Sequence, residues 1–312
     1  MYDLKYNRNL EQIEKPLYFR IGGAFHTGVE LYRKGSSISK AIVEAKSGFS
    51  NIDNATIVAA MLTGWHKNTK EFYRDYEVIE VEMEFEYRYA FGVKDYFIAG
   101  VIDALVRDKQ GRVFILENKT TSDTLERFTD RLWAARQGLL YQWALRQLGH
   151  QIDGVIYDVI KKPTMKRRLA TPVDKRKYKK PNKDGVIQLY AGQREEDETA
   201  DAYFDRLLEF YGENKGDLFA QEVMTHTPAQ MEAMDDDFKG ILNEYLGHVN
   251  RKEWPRSLGA CHAWNRTCEF QPYCGAGNNE VILQTLFKER KRVFNNLIEN
   301  GGESKDELDS RK

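Results

Sequence analysis

One stretch constrains the fold more than any other: FIAGVIDALVRDKQGRVFILENKTT, from Phe97 to Thr121. Phe97, Ile98, Val101, Ile102, Leu105 and Val106 supply apolar β-type character, Asp108 to Gly111 breaks it, and Val113 to Leu116 resumes it. That pattern predicts two strands joined by a tight turn. Asp103 lies on the first strand, and Glu117 and Lys119 close the second. Side chains alternate faces along a strand, so Glu117 and Lys119 share a face while Asn118 turns to the other. The turn can bring Asp103 alongside them. Two carboxylates converging at a strand end make a hard-oxygen site for a divalent cation, and a lysine beside them adds a positive donor where negative charge develops. The chemistry implied is metal-dependent attack on a phosphodiester. An E-x-K triplet alone is usually a solvated face; the buried run Ile115–Leu116 and the fixed order of the surrounding motifs give this one its weight.

Upstream, IGGAFHTGVELYRKG changes character at Ile21. Gly22 and Gly23 permit close backbone approach, and Ala24, Phe25, Val29 and Leu31 predict a helix from about Ala24. His26 falls in its first turn, with Glu30 one turn on, and becomes a candidate metal ligand by its place ahead of the two strands. A second helix is expected over Asn54 to Tyr73. YEVIEVEMEFEYRYAF, residues 76–91, alternates cleanly between Val81, Met83, Phe85, Tyr87 and Glu80, Glu82, Glu84, Glu86. This is a strand with an acidic, mostly solvated face, one of whose glutamates could reach the metal site.

Downstream, a helix is expected over Leu125 to Leu148, with Gln137 and Tyr141 on one face and Leu140, Trp143, Ala144 and Leu148 toward the core. Gly149 ends it, and IDGVIYDVIKK, residues 152–162, reads as a buried strand. The order helix, three strands, helix, strand gives an α/β fold with a mixed αβββαβ core. A dense basic arm follows at 161–183, with Lys161, Lys162, Lys166, Arg167, Arg168, Lys175, Arg176, Lys177, Lys179, Lys180 and Lys183 against a single Asp174. It is expected to be a flexible phosphate-binding segment, with Tyr178 available for stacking. Val186 to Tyr190 reads as a returning strand. Helices follow at about Arg194–Tyr211, with Tyr203, Leu207, Leu208 and Phe210 inward, and at Thr227–Val249.

Cys261, Cys268 and Cys274 are the only cysteines, spaced C-x6-C-x5-C in a loop-like, aromatic stretch. Clustered thiols in such a setting predict a metal or iron-sulfur site, with His262 awkwardly placed as a fourth ligand. A last helix is expected at about Asn279–Glu299 and a disordered tail at 301–312. At 312 residues the chain suffices for a full core, expected over 1–192, and a helical region carrying the cysteines over 193–300. The formal net charge of -1 places the basic character locally, in the arm. No run of about 18 apolar residues and no signal-peptide pattern occurs, so no membrane span is expected and a cytoplasmic location is.

Gly22 to His26, Gly100-x-x-Asp103, Glu117-x-Lys119 and Gln137-x-x-x-Tyr141, in that order, resemble the RecB-like branch of the PD-(D/E)-x-K nuclease superfamily. The likeness covers roughly Leu4 to Lys162 and resumes at the cysteines. Phage exonucleases and CRISPR-associated RecB-like nucleases are most similar. The resemblance implies a restriction-endonuclease-like fold in which Asp103, Glu117 and the Asn118 carbonyl hold Mg2+ or Mn2+, with His26 a further ligand. Lys119 would orient the attacking water, and Gln137 and Tyr141 would position the metal site and the DNA strand. It further implies a DNA exonuclease of recombination, repair or end processing in a bacterial or phage-infected cell, with a helicase or recombinase partner or an oligomer as further expectations. Relatives with a 4Fe-4S cluster use four cysteines, one ahead of the histidine motif. This chain has the other three, from which an upstream extension supplying the first is expected, or Zn2+ in place of the cluster. Glu117 stands where Asp is commoner. Two other readings remain: a catalytically silent DNA-binding module, against which intact Asp103, Glu117 and Lys119 argue, and a redox enzyme using the cluster, for which no second cofactor motif exists.

Overall fold

Five strands form one mixed sheet between two helical layers. The computed structural model describes residues 4–5, 8–180, 183–185, 187–255, 259, 261 and 267–290. In chain order these form β1 (Leu10–Gln12), α1 (Leu17–Arg33), α2 (Ile38–Lys46), α3 (Ile52–Tyr73), β2 (Tyr76–Phe91), β3 (Lys94–Asp108), β4 (Val113–Thr121), α4 (Leu125–Thr129), α5 (Arg136–Gln147) and β5 (Gly154–Lys161). There follow α6 (Ala200–Glu213), α7 (Lys215–Leu218), β6 (Phe219–Met224), α8 (Pro228–Arg251), α9 (Gln271–Gly275), α10 (Glu280–Leu286) and β7 (Phe287–Glu289).

The central hairpin forms as its sequence dictates. Asp108 staples the turn by accepting from Gln110 N and Arg112 N at 2.9 Å each, and from Arg112 Nε at 2.7 Å. β2, β3 and β4 run antiparallel, β5 returns parallel to β4 after the α5 crossover, and β6 pairs antiparallel with β5. β5 is covered on both faces, which is why its sequence is almost continuously apolar. One face of the sheet packs Ile102, Ile115, Val155 and Val159 against Trp143 and Ala144 of α5 and Met231 and Met234 of α8. On the other side Ile160 and Phe219 meet α1, α3 and α6 through Phe25, Trp65 and Tyr211. A small satellite core of Leu4, Phe270, Tyr273, Leu283 and Phe287 sits at the β1–β7 pair. This is the restriction-endonuclease-like α/β fold expected from the sequence.

Several expected boundaries are corrected. α1 begins directly after Pro16, so Gly22 and Gly23 lie inside the helix and His26 in its third turn. Gly22 does make a close approach, since a Cβ there would lie 2.9 Å from Thr120 Oγ1, whereas Gly23 faces open space. The helix expected over 125–148 is broken: α4 ends at Thr129, whose hydroxyl bonds back to the carbonyls of Leu125 and Glu126, and Ala135 is extended at ψ 95°. Leu148 is 42% exposed rather than in the core, because the helix has already ended there. The basic arm is not a loose tether. Arg176 donates to the carbonyls of Thr171 and Glu195, Tyr178 bridges to Leu189, and Arg168 N donates to Glu198, itself clamped by Arg206 at 2.6 Å. The last helix stops at Leu286, where the chain turns into β7; the remainder of that expected helix, the tail and His262 lie outside the described residues. α2 and β6 were not foreseen; the 193–300 region supplies β6 to the same sheet and α6 and α8 to the cores on its faces.

Candidate active site

The β3–β4 ladder stops at the pair Ala104–Leu116, one residue short of Asp103 and Glu117. Beyond it the strands part, and the Asp103 carboxylate takes the place of a ladder partner: its Oδ2 accepts from Asn118 N at 2.7 Å and from Asn118 Nδ2 at 3.2 Å. The gap so opened is lined by Glu117, 2% exposed, and by Lys119. Lys119 Nζ lies 2.8 Å from Glu117 Oε2 and 2.9 Å from Gln137 Oε1 on α5. From the opposite side His26 Nδ1 stands 3.6 Å from Asp103 Oδ2. The structure therefore gathers His26, Asp103, Glu117, Asn118, Lys119 and Gln137 at one place. Tyr141 follows one turn along α5, its ring edge-on to Phe85 at 5.1 Å. Gly100 makes room for that pair, because a Cβ there would meet Phe85 at 2.7 Å and Tyr141 at 2.9 Å.

The start of α5 is fixed without a capping side chain. At Gly138 the helix packs directly against the Tyr157 hydroxyl of β5. The helix approaches so closely that a Cβ on Gly138 would sit 2.2 Å from that oxygen. Gln137 thus reaches Lys119 from a rigid base. Burial, then the charge of Glu117, pushes the Tyr157 hydroxyl up to about 12, so it remains a neutral acceptor and donor.

The two carboxylates are pushed apart electrostatically. Burial raises the Glu117 carboxyl above its ordinary value; the Lys119 ammonium opposes the shift and the Asp103 charge adds to it. Burial works on Asp103 in the same direction, but His26, the Asn118 backbone N–H and Lys119 together outweigh it and hold that carboxyl below its usual value. Glu117 Oε1 is buried and accepts no hydrogen bond. An orphaned buried carboxylate oxygen is costly, and beside a second carboxylate it suits a divalent cation. Among the described residues no three His, Cys, Asp or Glu side chains make a ligand set on their own, so the fit rests on Asp103 and Glu117 with backbone or solvent oxygen completing it.

Of the alternating glutamates Glu80, Glu82, Glu84 and Glu86 on β2, Glu82 is the one that turns toward the site. It sits at φ 55° in the bulged strand and is half-buried; burial, then Asp103 and Glu30, raises its carboxyl. Its alternation with Met83 and Phe85 was legible, but its inward turn goes with a positive φ that no sequence pattern marks. Arg33 and Tyr157, which brace the site from behind, were also missed; Arg33 falls on the expected α1 face, yet nothing near it in sequence signals a buried guanidinium.

A cleft of about 1320 Å3 opens from His26, Asn118 and Lys119 past Tyr18 and Phe19 to Cys268 and Glu269. The rings of Tyr18 and Phe19 lie 4.4 Å apart, and Lys15 and Lys162 join the lining. Of the basic arm, Lys162 alone enters this cleft. Arg167 pairs with Asp53 at 2.7 Å, without hydrogen-bond alignment, and Arg176 braces the arm itself. Lys166, Arg168, Lys175, Lys177, Lys179 and Lys180 are exposed, and Lys161 is half-buried at the end of β5. Cys268 and Cys274 pack on the satellite core, and Cys268 N donates to the Cys261 carbonyl at 2.8 Å. All three cysteines are half-buried and outside any disulfide, and among the described residues they do not converge on a common metal position.

With this geometry in place, sequence comparison identifies the class. A profile of the PD-(D/E)XK nuclease superfamily matches residues 1–275, and the chain belongs to that superfamily. No curated protein matches it significantly. Among solved structures, a "Putative exonuclease" from Eubacterium rectale shares 14% identity and a TM-score of 0.33, covering 69% of this chain and 70% of its own. SSO0001 shares 16% identity and a TM-score of 0.25, covering 63% of this chain and 74% of its own. Among the described residues no helix is long and apolar enough to cross a membrane.

Proposed function

We propose that this chain is a metal-dependent deoxyribonuclease working as an exonuclease in DNA recombination, repair or end processing. The observation that carries the reading is the pairing of Lys119, held between Glu117 and Gln137, with the unsatisfied Glu117 Oε1. Asp103 and Glu117 would hold Mg2+ or Mn2+. The Asn118 carbonyl leaves the strand on the same edge as its N–H, which faces Asp103, and His26 stands next to it. When bound, the cation lowers the pKa of a water and neutralises charge on the phosphate. Lys119 spends two of its three N–H bonds on Glu117 and Gln137, which fixes the direction of the third. That N–H is left for the attacking water or the scissile phosphate oxygen, where it steadies developing negative charge. His26 and Asn118 hold Asp103 in its charged form, and Gln137 keeps Lys119 from collapsing wholly onto Glu117.

The cleft supplies a path for the strand, with Lys15 and Lys162 for phosphates and the Tyr18–Phe19 pair as a surface on which bases stack. The exposed lysines of the arm add the sequence-independent attraction of a duplex or single strand. Because the described cysteines do not converge, no step is assigned to an iron-sulfur cluster or Zn2+.

The test is cleavage of end-labelled linear and circular DNA, single- and double-stranded, with Mg2+, Mn2+ or EDTA. Label is expected to be lost from linear substrates in either metal, not in EDTA, and Lys119→Ala should be slower by about 10²–10³-fold. DNA binding without cleavage in any metal would replace the catalytic reading with a silent binding module.

A further inference from the structure

Behind the catalytic strand lies a buried polar network. Asp158 on β5 faces Asn118 across the parallel β4–β5 register. Its Oδ2 accepts from Trp65 Nε1 at 2.6 Å and from the Tyr73 hydroxyl, and its Oδ1 accepts from Gln221 Nε2 at 2.8 Å. Arg33, at the end of α1 and with its side chain 4% exposed, pairs with this carboxylate at 4.0 Å. Its guanidinium lies 5.3 Å over the Tyr73 ring and 5.7 Å over Trp65, and it donates to Tyr73 Oη at 3.0 Å. It also donates to Asn118 Oδ1 at 3.1 Å.

That last bond decides the orientation of a side-chain amide. The two ends of an asparagine amide have nearly the same shape, so only its partners distinguish them. A guanidinium has donors and no acceptor, so the atom facing Arg33 must be the amide oxygen. A carboxylate has acceptors only, so the atom facing Asp103 must be the amide nitrogen. With Arg33 in place, Asn118 presents both its backbone N–H and its Nδ2–H to a single oxygen, Asp103 Oδ2. Without it, the buried amide oxygen loses its donor and only the long 3.2 Å Nδ2 contact with Asp103 is left to hold the amide in place.

We propose that Arg33 is a positioning residue: anchored by Asp158 and Tyr73, it locks the Asn118 amide and through it the Asp103 carboxylate in the geometry that receives the cation. The inference rests on the nuclease reading only in what the locked carboxylate is for; the locking itself is independent of it. All three contacts converge on one nitrogen, Nη2, which the planar guanidinium stacked over Tyr73 and Trp65 holds in place; a lysine ammonium, on a shorter stem with no plane to stack, is not held there, so Arg33→Lys keeps the buried charge and removes the lock.

Two measurements on the full chain test this. In EDTA, hydrogen exchange of the Asn118 amide is compared between wild type and Arg33→Lys, with Val155 on β5 as the internal control. Asn118 is expected to exchange about tenfold faster in Arg33→Lys with Val155 unchanged. Equal Asn118 exchange, or acceleration of Asn118 and Val155 together, would overturn the proposal. Second, calorimetric titration with Mn2+ alone should show affinity reduced about 10–100-fold, the range for a residue that orients a metal ligand. An unchanged Mn2+ affinity would also overturn it. If Arg33→Lys does not fold, the pair Arg33→Gln with Asp158→Asn removes both charges at once and is expected to give the same two results. A wild type that binds no Mn2+ and cuts no DNA would count against the nuclease reading, while the exchange comparison in EDTA would still decide the positioning.

Discussion

Glu117 on β4 and Asp158 on β5 are both 2% exposed and lie one residue apart in register, yet their surroundings treat them oppositely. Asp158 is surrounded by donors: an indole, a phenol, an amide and a guanidinium. Glu117 has one lysine, and one of its oxygens has no hydrogen bond. A buried charge that is fully partnered holds a fold in one arrangement, whereas one left short of partners is kept at a cost in stability and points to a ligand. The two sides of β4 divide the labour accordingly. The side shared by Glu117 and Lys119 is open and under-satisfied, and the side carrying Asn118 is closed and braced.

The strongest way to break this comparison is to remove the satisfied carboxylate. Asp158→Ala strands Arg33 in the interior and is expected to destabilise the protein by about 3–5 kcal/mol, read by urea unfolding. A loss below about 1 kcal/mol would mean that the network braces nothing. The opposite and smaller effect is expected at Glu117. Its folded-state carboxyl is raised above 4.5, so its contribution to stability is present below that value and is lost as pH rises through the folded value. In metal-free unfolding from pH 4.5 to 8, wild type should therefore lose stability relative to Glu117→Gln as pH rises, by about 1 kcal/mol for each unit by which the carboxyl is raised. A difference that is flat with pH, or runs the other way, would place Glu117 in a comfortable environment and remove the contrast.

How much of this was readable from the chain differs between the same two sides. Period-two alternation and the Asp108–Gly111 turn carried Asp103, Glu117 and Lys119 to their places, because strand faces and a short hairpin leave little freedom. Gln137 and Tyr141 were legible as an i,i+4 pair although the helix bearing them was drawn too long. The break comes just before Gly138 packs against Tyr157, a contact made across the crossover that no local pattern reports. β6 was missed because FAQEVM, half-exposed, carries little alternation and owes its strand form to pairing with β5. The brace of Arg33, Trp65, Tyr73 and Asp158 joins three distant segments, and its residues read individually as ordinary helix or strand positions. The inward turn of Glu82, at positive φ, is likewise unmarked by any local pattern.

The central claim is that Glu117 is left unsatisfied for a cation. Thermal unfolding of wild type and Glu117→Gln, each with and without Mn2+, tests it most directly. A ligand bound only by the folded state raises the midpoint in proportion to its affinity. The account predicts that Mn2+ raises the midpoint of wild type, while Glu117→Gln is at least as stable as wild type without metal at pH 7 and gains nothing from it. An equal Mn2+ shift in both proteins would contradict it.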